Sequence, residues 1–171
     1  MGHRKSDEPT SRSVGLLISM LVRYPEVGTV KYDPRHQTIR MGLLASGTLE
    51  ETEFQRMRQR LIDTLEVYNL LDQRRLAVLE VTHESFDNLT AFAITRDVGT
   101  MSPPEIWTIV EFLRDWFAGS LVTEPVDLGG EDEMLAQDEM IEEILDDLEG
   151  GKGAHDLIAI REEGRVMVFS K

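Results

Sequence analysis

The sequence predicts an α+β protein, a two-layer sandwich in which duplicated ββα units form a four-stranded, mainly antiparallel sheet with helices on one face. Two short strand-like runs are followed by a long amphipathic helix, and this order occurs twice. A shift of 52 residues also superposes Gly47-Thr48 on Gly99-Thr100. Beyond Leu121 the composition becomes acidic, which predicts an added C-terminal helix and hairpin outside the sandwich.

The first element is predicted to be a helix that begins at Ser13. Residues 1–12 are polar and predict a disordered tail. Pro25 predicts the end of the helix, because a residue before proline avoids the helical region. Alternation in the same stretch also fits a strand, and we favour the helix. The apolar residues at helical spacing are Val14, Leu17, Ile18 and Leu21.

The first ββα unit spans about residues 28–70. Its strands are predicted at 28–33 and 37–45, joined by a turn at Asp33-Pro34-Arg35-His36. Thr48 and Glu51 have the spacing of a capping box, which predicts the start of a helix that runs to about Leu70. The apolar face of that helix consists of Phe54, Met57, Leu61, Leu65 and Tyr68.

The second unit spans about residues 75–121. Its strands are predicted at 75–82 and 89–96, with a loop from His83 to Asn88. Ser102 is the expected N-cap of the next helix, and Glu105 would complete a capping box. The expected buried stripe of this helix consists of Ile106, Ile109, Val110, Leu113, Trp116 and Phe117.

The predicted core covers residues 13–122. Two of its strand segments, 76–81 and 91–94, are apolar on both faces. Helices would cover one face of the sheet, and the other face also needs a cover. A second subunit, the first helix or the C-terminal hairpin would each supply one.

The C-terminal region is predicted to be an appendage, with a linker at 123–130 and an acidic helix and hairpin over 131–171. Residues 124–156 carry a net charge of −12, out of −14 for the whole chain. The helix is expected at 131–148. Gly164 is expected to take a left-handed conformation in a three-residue hairpin loop with a bulge.

The hairpin cannot be stable alone. Burying four aliphatic side chains yields roughly 6–12 kcal/mol, whereas ordering its residues costs roughly 20 kcal/mol. It must therefore pair with its own sheet, a sister subunit or another protein. We expect the core to fold without this arm. The partner-binding candidates are Ile141, Ile144, Leu145, Ile158, Ile160, Val166 and Val168.

Several kinds of catalytic or cofactor site are absent from the sequence. There are no cysteines, no phosphate-binding glycine motif and no nucleophile elbow, and we expect no cofactor. A metal-dependent or small-molecule enzyme remains an alternative if the duplication brings the two hairpin loops together. The metal-ligand candidates are Asp33, His36, His83, Glu84 and Asp87.

A nucleic-acid interface on the second helix is a further alternative, and the interspersed acidic residues argue against it. Its candidates are Arg56, Arg60, Arg74 and Arg75. No signal peptide or membrane span is recognisable, so a cytoplasmic location is expected. The favoured function is a non-enzymatic interaction or assembly protein, most simply a homodimer, that uses its C-terminal arm.

Overall fold

The computed structural model describes residues 3–124, 130–148 and 156–170, with side chains from Arg12 onward. The helices are α1 (His3–Arg23), α2 (Glu51–Leu71), α3 (Pro103–Phe117) and α4 (Glu131–Leu148). The strands are β1 (Thr29–Asp33), β2 (Thr38–Ser46), β3 (Leu79–Phe86), β4 (Leu89–Asp97), β5 (Leu157–Glu162) and β6 (Arg165–Ser170). None of these helices has the length and hydrophobicity that a membrane-spanning segment needs.

The α+β class is confirmed, but the sheet has six strands rather than four. Their order is β3-β4-β2-β1-β5-β6, and every neighbouring pair is antiparallel. The two extra strands are the C-terminal hairpin, which joins the sheet because β5 pairs with β1. The unit order ββα, twice, is as predicted.

One face of the sheet packs against the helices and forms the core. Along β2 the alternate residues Ile39, Met41 and Leu43 are buried, as strand periodicity requires. The predicted apolar stripes of α2 and α3 close over them, with Phe54 to Leu65 and Ile106 to Leu113 in one continuous cluster. This layer fixes which residues of each strand are left on the opposite face.

Helix α1 and strand β3 differ from the sequence-based expectation. Helix α1 begins at His3, within the predicted tail. Strand β3 runs from Leu79 to Phe86 rather than over 75–82, so the predicted loop from His83 shrinks to Asp87 and Asn88. Both of these residues have positive φ, which matches a two-residue turn and lets Phe86 pair with Leu89.

The C-terminal hairpin also turns more tightly than predicted. Glu162 pairs directly with Arg165, so its loop has two residues and no bulge. Gly164 has φ 77°, as expected, and Glu163 also has a positive φ of 50°. Two left-handed residues in succession are typical of a type I′ turn, whose twist matches the flanking strands.

Neither predicted capping box forms. Helix α2 begins after Glu50 rather than Thr48, and no side chain caps its first turn. Ser102 is the N-cap residue of α3 as predicted, but its side chain makes no cap hydrogen bond. The carboxylate of Glu105 is instead paired with buried Arg96, which competes successfully for it.

Helix α4 packs on α1, with a smaller contact to α3. Ile141, Ile144 and Leu145 are buried there. The Arg23 guanidinium pairs with Asp138, with 3.0 Å between Nε and Oδ1. The acidic arm is therefore part of the folded domain.

Candidate functional site

The face of the sheet opposite the helices is not covered by any described segment. Helix α1 lies on the helix side, and the hairpin extends the sheet sideways rather than folding over it. We call this surface the open face. Its central row of side chains, read across β5, β1, β2, β4 and β3, is Ile160, Thr29, Gly42, Ala93 and Thr82.

Small residues leave the middle of the open face recessed relative to the side chains around it. Gly42, Ala91 and Ala93 lie side by side on β2 and β4. A Cβ atom on Gly42 would collide with Oγ1 of Thr29, the residue directly opposite on β1. Glycine at this position therefore lets Thr29 lie across β2 and keeps the floor flat.

Apolar side chains border this low floor. Ile158 and Ile160 of β5 rise on one side and are only partly buried. Beyond them Met167 and Phe169 of β6 are 36% and 50% exposed, and Leu44 is 38% exposed. Ile158, Ile160 and Leu44 line an open groove of about 810 Å³, whereas Met167 and Phe169 lie outside its lining. An exposed apolar surface of this kind typically marks an interaction site.

Two cations stand together on the open face, at the end of the sheet where Asp33, Glu80 and Thr95 also lie. Lys31 of β1 and Arg40 of β2 are directly opposite each other in the register. Among the hydrogen bonds and ion pairs of the described residues, neither side chain has a partner. Like charges in facing strand positions destabilise a sheet unless something compensates them.

Strand β6 forms one edge of the sheet, and no described strand pairs with its outer side. Since a two-residue loop makes Glu162 and Arg165 a hydrogen-bonded pair, the next such pair is Ile160 with Met167. Val166 and Val168 therefore point their backbone N–H and C=O away from β5. The edge from Val166 to Phe169 carries no charge and no proline.

The predicted partner-binding residues fall into two groups. Ile141, Ile144 and Leu145 are buried beneath α4, and Val166 and Val168 pack against the core on the helix side. Only Ile158 and Ile160 lie on the open face, in register with Lys31 and Thr29. The exposed residues Met167 and Phe169 of the same hairpin were missed, although strand alternation places them beside Ile158 and Ile160.

The structure does not bring the predicted metal ligands together. The turn containing His36 and the turn containing Asp87 lie at opposite ends of β2, separated by roughly 26 Å at about 3.3 Å per residue. His83 and Glu84 lie in β3 rather than in a loop. The described residues contain no cluster of three or more potential metal-ligating side chains.

The individual metal-ligand candidates already have other contacts. Asp33 holds Nδ1 of His36 at 2.7 Å and accepts the backbone N–H groups of Arg35 and His36. Burial tends to raise the pKa of the Asp33 carboxyl, but these hydrogen bonds outweigh burial and lower it. The His83 ring lies over Phe54, with 3.7 Å between the ring centroids.

The predicted arginine surface lies on and just after α2, away from α4. Arg56, Arg60, Arg74 and Arg75 are all exposed. Arg60 lies over the Trp116 ring, 5.8 Å from its centroid. Arg74 pairs with Asp72 at 3.2 Å. Two of the four are thus engaged in local contacts.

Buried arginines are the main feature that the sequence analysis missed. Arg96 is fully buried and paired with Glu105. Arg161 of β5 donates hydrogen bonds to the backbone carbonyls of Pro25 and Val27, each at 2.9 Å. Side chains alternate between the two faces of a strand, and Arg161 directly follows Ile160. The sequence could therefore have indicated that Arg161 lies on the helix side of the sheet.

Comparisons of this chain with protein-family models, with curated proteins and with solved structures gave no match.

Proposed function

We propose that this protein is a non-enzymatic cytoplasmic assembly protein, which forms a two-fold homodimer by pairing strand β6 with β6 of a second copy. The observation that carries the proposal is the free, uncharged edge from Val166 to Phe169. Unpaired strand edges are templates for further strands, and natural proteins usually protect them with charges, prolines or bulges. The proposed interface is therefore strand β6 of the hairpin rather than the whole C-terminal arm, residues 131–171.

The opposite edge of the sheet supports self-pairing of β6 rather than pairing of unlike edges. Strand β3 carries Glu80, Glu84 and the half-exposed aromatic Phe86. Charges on an edge strand discourage pairing. Joining β3 to β6 of another copy would also be a head-to-tail contact, which continues into a filament or a ring. Joining β6 to β6 closes after two copies.

Antiparallel pairing about a two-fold axis at Met167 satisfies the exposed backbone groups. Val166 of one copy would then face Val168 of the other, and both direct their N–H and C=O outward. The two Met167 residues would meet as a non-hydrogen-bonded pair on the open face, where Cα atoms lie about 4.5 Å apart. Phe169 of each copy would flank them.

The decisive experiment uses the absence of cysteine in the chain. A Met167→Cys variant should form an intermolecular disulfide on mild oxidation, because the expected Cα distance lies within the range that a disulfide spans. Thr82→Cys is the matched control, since Thr82 is exposed on the same face at the opposite edge strand. It should remain a monomer on a non-reducing gel.

Sedimentation velocity of the wild-type protein checks the assembly without cysteine. We expect a dimer that dissociates on dilution, and a monomer for Met167→Lys, where two like charges would meet at the axis. Met167→Leu should behave like wild type. A wild-type protein that stays monomeric at high concentration, with equal cross-linking of the two cysteine variants, would refute the proposal.

A further inference from the structure

The geometry points to a second interaction surface, independent of the β6 edge. We propose that the groove on the open face binds a polypeptide segment of another protein, one that carries a carboxylate beside apolar side chains. Lys31 and Arg40 would receive the carboxylate, and Ile158, Ile160 and Leu44 would receive the apolar side chains.

The two cations specify the charge of the bound segment. Neighbouring carboxylates make no described ion pair with them: Asp33 is held by His36 and by its own turn. Glu84 also lines the groove, but it lies on β3 in register with Ala91 and Leu44 rather than with Arg40. Glu80 lies two strands from Arg40, with Thr95 between them in the register. The Cα atoms of Glu80 and Arg40 are therefore about 10 Å apart at the usual strand spacing. A ligand carboxylate above β1 and β2 would reach both cations at once, and arginine binds carboxylates with two parallel hydrogen bonds.

The shape of the groove suits a polypeptide. The floor made by Gly42, Ala91 and Ala93 lets a ligand approach the sheet closely, between aliphatic walls on β5 and β2. The groove is bordered by partly exposed apolar groups, including Leu44 and Ile158. Burying each such side chain fully is worth about 1.5–3 kcal/mol, so the apolar part would provide affinity and the cations orientation.

Other occupants fit the charges less well. A second copy stacked face to face, about a two-fold axis that runs along β1 and β2 and between them, would place Lys31 and Arg40 of one copy over the same two cations of the other. Nucleic acid and anionic membranes bind extended basic surfaces. Here two cations stand on a chain with a net charge of −14.

The test is a selection of random dodecapeptides, displayed on phage, against the full-length chain. We expect the enriched peptides to combine aspartate or glutamate with aliphatic or aromatic residues. A synthetic copy of an enriched peptide should slow amide hydrogen exchange along β2 and β4 around Gly42 and Ala93. Protection confined to another surface, or no enrichment above the unselected library, would overturn the proposal.

Reversing the charge of both cations tests whether they determine the preference for acidic peptides. In a Lys31→Glu, Arg40→Glu double variant the selected peptides should become basic, and the wild-type acidic peptide should bind at least about tenfold more weakly, or about 1.4 kcal/mol. Arg56→Glu, Arg60→Glu is the matched control on exposed α2 and should retain the wild-type preference. An unchanged acidic preference after reversal of Lys31 and Arg40 would sink the idea.

A second variant fills the groove without altering charge. Ala93→Leu adds a branched side chain to the floor, on the side away from the core. It should weaken peptide binding by at least about tenfold while thermal unfolding stays cooperative. Both variants keep Met167 and the β6 edge, so dimer formation and peptide binding can fail separately.

Discussion

Arg96 of β4 and Glu105 of α3 form a two-pronged ion pair in which both side chains are completely buried. Nε of the arginine lies 2.6 Å from Oε2, and a terminal nitrogen lies 2.8 Å from Oε1. Asn69 of α2 donates to the same carboxylate at 2.6 Å. The pair thus joins the sheet to both helices of the ββα units.

Removing one partner of this pair should be strongly destabilising. Arg96→Met leaves the buried Glu105 carboxylate without its counter-charge, which typically costs about 3–5 kcal/mol. Glu105→Gln should cost less, because Arg96 keeps Asp97 as a counter-charge. The double variant should cost less than the sum of the single variants, because the lone Glu105 charge is then absent. Urea denaturation measures these differences. Asp72→Asn, which breaks the exposed pair with Arg74, should cost at most about 1 kcal/mol.

The same cluster should make stability depend on acid. Burial tends to raise the pKa of Asp97, but hydrogen bonds from Thr100 and Val78 and the charge of Arg96 outweigh burial and lower that pKa below 3.8. The ionised Asp97 therefore stabilises the fold fully above this value. Its contribution is lost as the pH falls through the lowered pKa of the folded state.

An Asp97→Asn variant isolates that contribution. Its free energy of unfolding should be lower than that of wild type near neutral pH, and the difference should shrink as the pH falls below about 3.8. Asp33 also has a lowered pKa, but it is present in both proteins and cancels in the difference. A difference that stays constant between neutral pH and strong acid would contradict the assignment.

Local sequence signals predicted the elements well because those signals are short in range. The bounds of α4 were predicted to the residue, since an apolar stripe ends at a run of glycines. The apolar character of 76–81 and 91–94 on both faces predicted a cover for the second face. In the described residues neither α1 nor the hairpin supplies it, and a cover by a second subunit stays a prediction. A proline after a helical stripe also located the end of α1 correctly.

Long-range competition accounts for the main errors. Ser102 and Glu105 have capping-box spacing, but the carboxylate of Glu105 pairs with buried Arg96 instead. An unpaired buried arginine would cost more free energy than an uncapped helix end. The pairing of β5 with β1 joins residues more than a hundred positions apart, and no local pattern specifies it. The cation pair on the open face became visible only through the β1–β2 register.

Arg161 should hold the hairpin on the domain. Its guanidinium donates hydrogen bonds to the backbone carbonyls of Pro25 and Val27, which lie between α1 and β1. Arg161→Met would leave these acceptors unpaired, at a cost of about 1–3 kcal/mol each where they stay buried. Hydrogen exchange should accelerate in β5 and β6 before the rest of the sheet. Arg165→Met, in the same hairpin but exposed, should leave the exchange unchanged.

Deletion of residues 124–171 should abolish cooperative folding, contrary to the sequence-based expectation of an independent core. Within the described residues, the deletion removes five large aliphatic side chains that are nearly buried, each worth about 1.5–3 kcal/mol, and so roughly 7–15 kcal/mol in total. That loss equals the whole stability of a typical domain, about 5–15 kcal/mol. These side chains are Ile141, Ile144, Leu145, Leu148 and Leu157. A thermal melt followed by circular dichroism should show no cooperative transition for the truncated chain. A sharp transition close to that of the full-length protein would show instead that the arm is a detachable element.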